Sequence, residues 1–270
     1  MKQEAIKEQL VKTVVKSGNG GAVWVPKAWL GEEVIVILPQ KPGIKERVLH
    51  LLEPYLKDVL AVGIYGSHAR KEQTKESDID VLVIADKKIF LKEPGVEILS
   101  LSPDSLKRAV EKHPALYFQP VQEAEPLINA PLFEELRRIR PSKEGIRAFI
   151  KDTKGHLKSS RELVELDKLD GNLLKSASVL YSAMLRLKGA YVLFCALKGE
   201  SFSSKGWKRW LLAKGLSKGQ FDDTQAGYRA VRDSLPFPKK LPLSLAETLL
   251  TILHKSIGEL RDQYSKRLNR

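Results

Sequence analysis

Apolar positions along the chain follow two different periods. In the first half they come in short, partly alternating runs that read as strands. Val11-Lys12-Thr13-Val14-Val15-Lys16, Ala22-Val23-Trp24-Val25 and Glu33 to Leu38 predict three such strands. Ser17-Gly18-Asn19-Gly20-Gly21 is a turn between the first two. Pro26-Lys27-Ala28-Trp29-Leu30-Gly31 is a one-turn helical corner, with proline at its start and glycine past its end. After a Pro39–Gly43 linker, apolar residues at 44, 48, 49, 51, 52 and 56 give helical spacing, with Pro54 as a late break. Strands are expected over 59–65, 79–84 and 96–101, in a sheet on which that helix packs. A short helix follows over 104–112, behind Ser102-Pro103-Asp104, then a strand or extended segment within 116–129, and a helix over 131–139. From Pro141 onward the period is helical, with helices expected over 142–168, 171–198, 203–215, 218–234 and 243–268. The pattern predicts an α+β protein in three parts: a small β module and linker (1–43), a mixed-sheet domain (44–140) and a helical bundle (141–270).

The densest chemistry lies between two of the predicted strands. The apolar run Val62–Tyr65 ends in Gly66-Ser67, and ten residues later Asp78-Ile79-Asp80 opens the next run. Gly66 lets the backbone approach a phosphate. Ser67 adds a hydroxyl donor, and the N–H groups of the turn favour anions. Side chains alternate along a strand, so Asp78 and Asp80 share a face while Ile79 enters the core. Two carboxylates so close repel each other, and a divalent cation is their simplest neutraliser; Mg²⁺ is commonly held by one or two carboxylates plus substrate phosphates. Arg70 and Lys71 are near enough in sequence to reach a triphosphate. Gly-Ser or Asp-x-Asp alone fits equally well a charged hairpin with a capped turn. In this order between apolar strands, they point to a nucleoside triphosphate and its metal.

These residues resemble the signature of the DNA polymerase beta nucleotidyltransferase superfamily, above all its minimal bacterial and archaeal members. The motif covers Gly66–Asp80 and the domain resemblance about 44–140. The resemblance implies that Gly66 and Ser67 bind the triphosphate and that Asp78 and Asp80 bind Mg²⁺, with Mn²⁺ as a substitute. It implies a third carboxylate on a following strand, which in Val96-Glu97-Ile98-Leu99-Ser100-Leu101 is Glu97, although Asp is commoner there. The implied reaction is in-line transfer of a nucleoside monophosphate from an NTP, ATP by preference, to an acceptor hydroxyl, with pyrophosphate leaving. Residues 11–38 are similar to an AbrB/SpoVT-type swapped hairpin, which implies a homodimer; its basic positions here are Lys12, Lys16 and Lys27. The C-terminal helices resemble the HEPN-like bundles and the C-terminal domain of kanamycin nucleotidyltransferase.

Charge sharpens the picture. The chain carries a formal net charge of +13, and residues 141–270 hold 25 Lys/Arg against 13 Asp/Glu. A basic bundle beside a nucleotide site points to a polyanionic partner, RNA first, or else is a solubilising surface. Lys205, Lys208 and Arg209 alternate with Trp207 and Trp210, either as a nucleic-acid contact or as the rim of a core in which at least one tryptophan is buried. His68 either touches the triphosphate or is a solvated turn residue. Arg108 and His113 have the spacing of a HEPN ribonuclease pair but lie outside the bundle, so no ribonuclease site is expected. One cysteine, Cys195, excludes a disulfide framework within the chain. No apolar run of membrane-spanning length and no signal-like N-terminus is seen, so the cytoplasm is the expected compartment. Two further readings stay open: an antitoxin-like protein adenylyltransferase, and a DNA-binding regulator with a nucleotide-sensing domain.

Overall fold

The computed structural model describes residues 10, 12–34, 36, 43–75, 77–237 and 241–268, with side chains to residue 265. The chain divides into two compact units, 1–42 and 43–270.

In the first unit β1 (Val15–Ser17) and β2 (Gly20–Ala22) pair antiparallel around Gly18-Asn19, where Gly18 has φ of 53°. A 3-10 turn, Lys27–Trp29, follows Pro26. The ladder is shorter than the alternation predicts: residues 12–14 and 23–25 stay outside it. An isolated two-stranded ribbon has no layer to cover its apolar face, and none of the unit's described residues is buried. The third expected strand falls partly outside the described residues; Glu33, Val34 and Val36 are not in a strand.

The second unit opens with α1 (Ile44–Leu52), which gives way at Pro54 to the 3-10 turn Glu53–Tyr55. Next come β3 (Val59–Tyr65), the single helical turn α2 (Gly66–Ala69), β4 (Ile79–Ala85), β5 (Val96–Leu101) and α3 (Pro103–Lys112). They are followed by α4 (Pro114–Glu123), β6 (Glu125–Ile128) and α5 (Ala130–Leu136). The segment expected to be extended over 116–129 is therefore mostly helix. Pro120 inside α4 and Pro126 inside β6 disguise both elements; Pro126 is tolerated because β6 is an edge strand.

The sheet has the order β5-β4-β3-β6, with β4 and β5 parallel and the other pairs antiparallel. Alternation along β4 sorts its two faces. Ile79, Val81 and Val83 pack with Val48 and Leu52 of α1. Leu82 and Ile84 pack with Leu106, Val110, Phe118, Phe133 and, from the bundle, Val192. Asp80 thus lies on the face covered by α3, α4 and the bundle.

The bundle comprises α6 (Lys143–Leu169), α7 (Ala177–Lys198), α8 (Ser204–Ala213), α9 (Lys218–Arg232) and α10 (Leu243–Leu268). Its start is clamped to α3. Ser142 Oγ donates to the Glu111 carbonyl at 2.8 Å, and a Cβ on Gly145 would lie 2.0 Å from that same oxygen. Glycine is needed there for close approach. The apolar α7 is buried on several sides, as expected of a helix with no polar face. It is long and apolar enough to cross a membrane, yet 61% of that stretch is buried here. It begins at Ala177 rather than near 171 because Asp167 captures the preceding backbone. Its carboxylate accepts from Lys175 N at 2.8 Å, Ser176 N at 2.7 Å and Ser176 Oγ at 2.9 Å.

Candidate active site

Strand register sets the first row of the site. Tyr65 pairs with Asp80 across β3 and β4, and Asp80 with Glu97 across β4 and β5. Paired residues on neighbouring strands share a face, so Tyr65, Asp80 and Glu97 form one line across the sheet. Asp78 lies just before β4 and is exposed, as is Glu97, while Asp80 is half-buried. Burial, then the charge of Glu97, push the Asp80 carboxyl up to about 6, and Glu123 adds to this against the pull of Lys188 and Arg70. Burial first, and then Asp80, Glu97 and Glu123, hold the Tyr65 hydroxyl above the ordinary tyrosine range. Negative charge at this point is incompletely compensated.

The connection after β3 bends directly over that row. Gly66 has φ of 75°, and a Cβ there would lie 1.9 Å from Asp80 Oδ2. Two independent causes, handedness and contact with the carboxylate, therefore require glycine. The Gly66 N–H donates to Glu123 Oε1 at 2.8 Å. Glu123 Oε2 accepts from Arg70 Nη1 at 2.7 Å and Gln119 Nε2 at 3.0 Å. Arg70 Nε donates to Glu72 at 2.8 Å, and Glu72 accepts from Ser204 Oγ at 2.7 Å. Burial opposes the Arg70 charge, but Glu123 and Glu72 outweigh it and raise its pKa. Two of the three Arg70 nitrogens are thus engaged in tying the turn to α4 and to the start of α8. Ser67 is half-buried, and Lys71 is exposed in a left-handed conformation with φ of 56°. His68 Nε2 lies 3.5 Å from the Ser77 carbonyl and its buried Nδ1 has no partner among the described residues, so the ring turns toward the loop rather than into solvent.

The bundle contributes groups that sequence reasoning did not anticipate. Lys188 of α7 stands with its Nζ 5.6 Å from the Phe202 ring centre, and the Arg70 guanidinium lies 5.2 Å from the same ring. Lys188 reaches solvent, yet surrounding protein, and then the Arg70 charge, hold its ammonium below the usual lysine range; Glu123 and Asp80 pull the other way. Sharing the Phe202 ring with Arg70, which is bonded to Glu123, sets it at the edge of the turn. Arg232 of α9, paired with Asp233, also feels Asp78. One signal for Lys188 was present: Arg186 and Lys188 are the only charges between Ala183 and Ala196, and an isolated cation in an apolar helix needs a partner. Glu123 had none, because its role depends on contacts 53 and 57 residues away in sequence.

Residues 43–146 match the nucleotidyltransferase domain family. The chain carries a nucleotidyltransferase domain and is a transferase. It is also similar to a solved nucleotidyltransferase-like protein from Exiguobacterium sibiricum, at 13% identity over 84% of this chain and 78% of that one, with a TM-score of 0.35. No curated protein matches the chain.

The nucleotidyltransferase domain offers hard oxygen donors for a divalent cation. Among the described residues no three carboxylates or histidines converge as a preformed metal cluster. Mg²⁺ needs fewer, since it keeps waters and takes substrate phosphates as ligands. Asp80 and Glu97 are paired across β4 and β5, and Asp78 lies two residues before Asp80, so hard oxygen donors stand side by side and the donor set fits.

Beyond the nucleotidyltransferase domain, the cation–aromatic stretch of α8 is turned mainly inward. Trp207 is buried and stacks on Trp210, and both contact Tyr191. Lys208 sits over Phe221 and 3.4 Å from Asp222, while Lys205 and Arg209 are exposed.

Proposed function

We propose that the protein transfers a nucleoside monophosphate from an NTP, ATP by preference, to a hydroxyl of an RNA acceptor. The observation that carries this reading is the packing of the Gly66-Ser67 turn onto Asp80 with Glu97 in register beside it. Asp78, Asp80 and Glu97 would hold Mg²⁺, with Mn²⁺ as a substitute; when bound it offsets phosphate charge and acidifies the acceptor hydroxyl. Ser67 donates to the triphosphate, and Lys188 from the bundle and Lys71 at the rim balance its charge. Arg70 acts by holding the turn between Glu72 and Glu123. Glu97, exposed at the end of the row, either completes that metal site or takes the acceptor's proton as its oxygen attacks the α-phosphorus and pyrophosphate leaves. Positioning and electrostatics then carry most of the catalysis.

In this reading residues 44–140 form the transfer core and the basic residues 141–270 serve the acceptor. Residues 1–43 mediate homodimerisation: Trp24, Leu30 and Val36 are exposed in a module none of whose described residues is buried. The protein acts in the cytoplasm.

The test is incubation of the full chain with each α-labelled NTP, Mg²⁺ and total RNA. Label is expected on RNA, most strongly from ATP, and at least about 1000-fold less with the Asp78→Ala/Asp80→Ala variant. Label on polypeptide instead would make the acceptor a protein hydroxyl; nucleotide binding without transfer would support a sensor.

A further inference from the structure

Helix α6 carries a charged feature that the transfer site does not use. Arg147, Lys151, Lys154, Lys158 and Arg161 recur at steps of four, three, four and three residues. That spacing puts them in one row along the helix, about 21 Å long at 1.5 Å per residue. The row lies one position after the buried seam of Ile146, Ile150, Thr153, Leu157 and Ser160. All five cations are exposed. Among the described residues none of them has a carboxylate within ion-pair distance; Asp152 turns to Arg186 and His156, and Glu165 to Lys168. Beside the row runs an open groove of about 850 Å³, with Lys154, Lys158, Arg161 and His254 on its walls, the carboxylates Glu162 and Glu165 beside them, the latter paired with Lys168, and Leu157 and Leu166 among its apolar lining.

We propose that this groove is the track on which a single-stranded polynucleotide acceptor lies. Five like charges in file repel one another, and a run of backbone phosphates neutralises them all at once. The leucines of the lining offer apolar contact to bases, which a duplex keeps stacked inside, so the groove favours a single strand. The start of α6 is pinned to the end of α3 at Glu111, where α4 begins. Helix α4 then runs about 15 Å to Glu123 at the nucleotide turn, and the groove begins at Lys154, about 16 Å along α6 from its start, so on the order of 30 Å of strand joins the track to the transfer site. The inference rests on the reading of a polynucleotide acceptor.

The experiment is fluorescence anisotropy of a labelled single-stranded RNA of about 20 nucleotides with the full chain, from about 50 to about 300 mM salt. The Lys151→Ala/Lys154→Ala/Lys158→Ala variant should bind at least about tenfold more weakly, and its slope of log affinity against log salt should be shallower by about 2, near 0.7 per lost contact. Its ATP binding should be unchanged. An unchanged affinity and slope would overturn the track, as would a loss of binding in Lys205→Ala/Arg209→Ala alone. Tighter binding of a duplex or of a poly-glutamate peptide would equally overturn it. Transfer assays separate the two readings. If wild type never labels RNA, the acceptor reading fails and the track with it; if wild type and triple variant label RNA equally, the track alone fails.

Discussion

Asp80→Asn should abolish nucleotidyl transfer, by at least about 1000-fold, and at the same time raise the melting temperature of the metal-free protein. The two effects have one origin. Burial and the adjacent Glu97 push the Asp80 carboxyl from 3.8 to about 6. Its folded pKa is raised, so the stability it contributes is fully present below about 4 and is lost as pH rises through about 6. At pH 7.5 the ionised carboxylate is therefore a burden on the fold. After allowance for solvent screening of this half-buried group, the burden is about 1–2 kcal/mol, or roughly 2–6 °C in a domain of this size. Melting curves in EDTA should show the Asn variant ahead at pH 7.5, less so at pH 5 and no longer below about pH 4. Mg²⁺ with NTP should reverse the order, because only the wild type then gains a ligand for its carboxylate. A variant less stable than wild type at pH 7.5 in EDTA would show that Asp80 is not under this load.

Gly66→Ala should be the most damaging single methyl group in the transfer domain. A left-handed φ costs a non-glycine residue about 1–2 kcal/mol, and relief of a 1.9 Å contact with the Asp80 carboxylate adds about 1–3 kcal/mol of overpacking. A loss of about 2–5 kcal/mol in a urea titration is expected, together with loss of NTP binding in the fraction that still folds. The turn cannot move away freely, because Glu123 and Arg70 tie it to α4. Unimpaired transfer in this variant would mean that the turn is not a phosphate site.

The parts of the fold that follow from local period were legible in the sequence. β3, β4 and β5 lie where alternating and continuous apolar runs place them, and α10 spans Leu243–Leu268 as its apolar spacing predicts. Where residues act against their local pattern, the reading failed. Pro120 hid α4, and Asp167 took backbone N–H groups that would otherwise have extended α7 toward residue 171. The site shows the same division. Gly66, Asp80 and Glu97 carry local reasons for being there, and register brings them together. Glu123 and Lys188 reach the site from α4 and α7, which only tertiary packing aligns with β3 and β4. Arg70, close in sequence to the phosphate turn, is spent largely on Glu72 and Glu123 rather than left open to a ligand.

The most direct test of nucleotidyl transfer compares ATP labelled at the α-phosphate with ATP labelled at the γ-phosphate, in parallel reactions with the full chain, Mg²⁺ and total RNA. The predicted result is α-label on the acceptor, γ-label released only as pyrophosphate, and equal rates for the two. Appearance of γ-label on the acceptor, or release of orthophosphate with no α-label transferred, would contradict it.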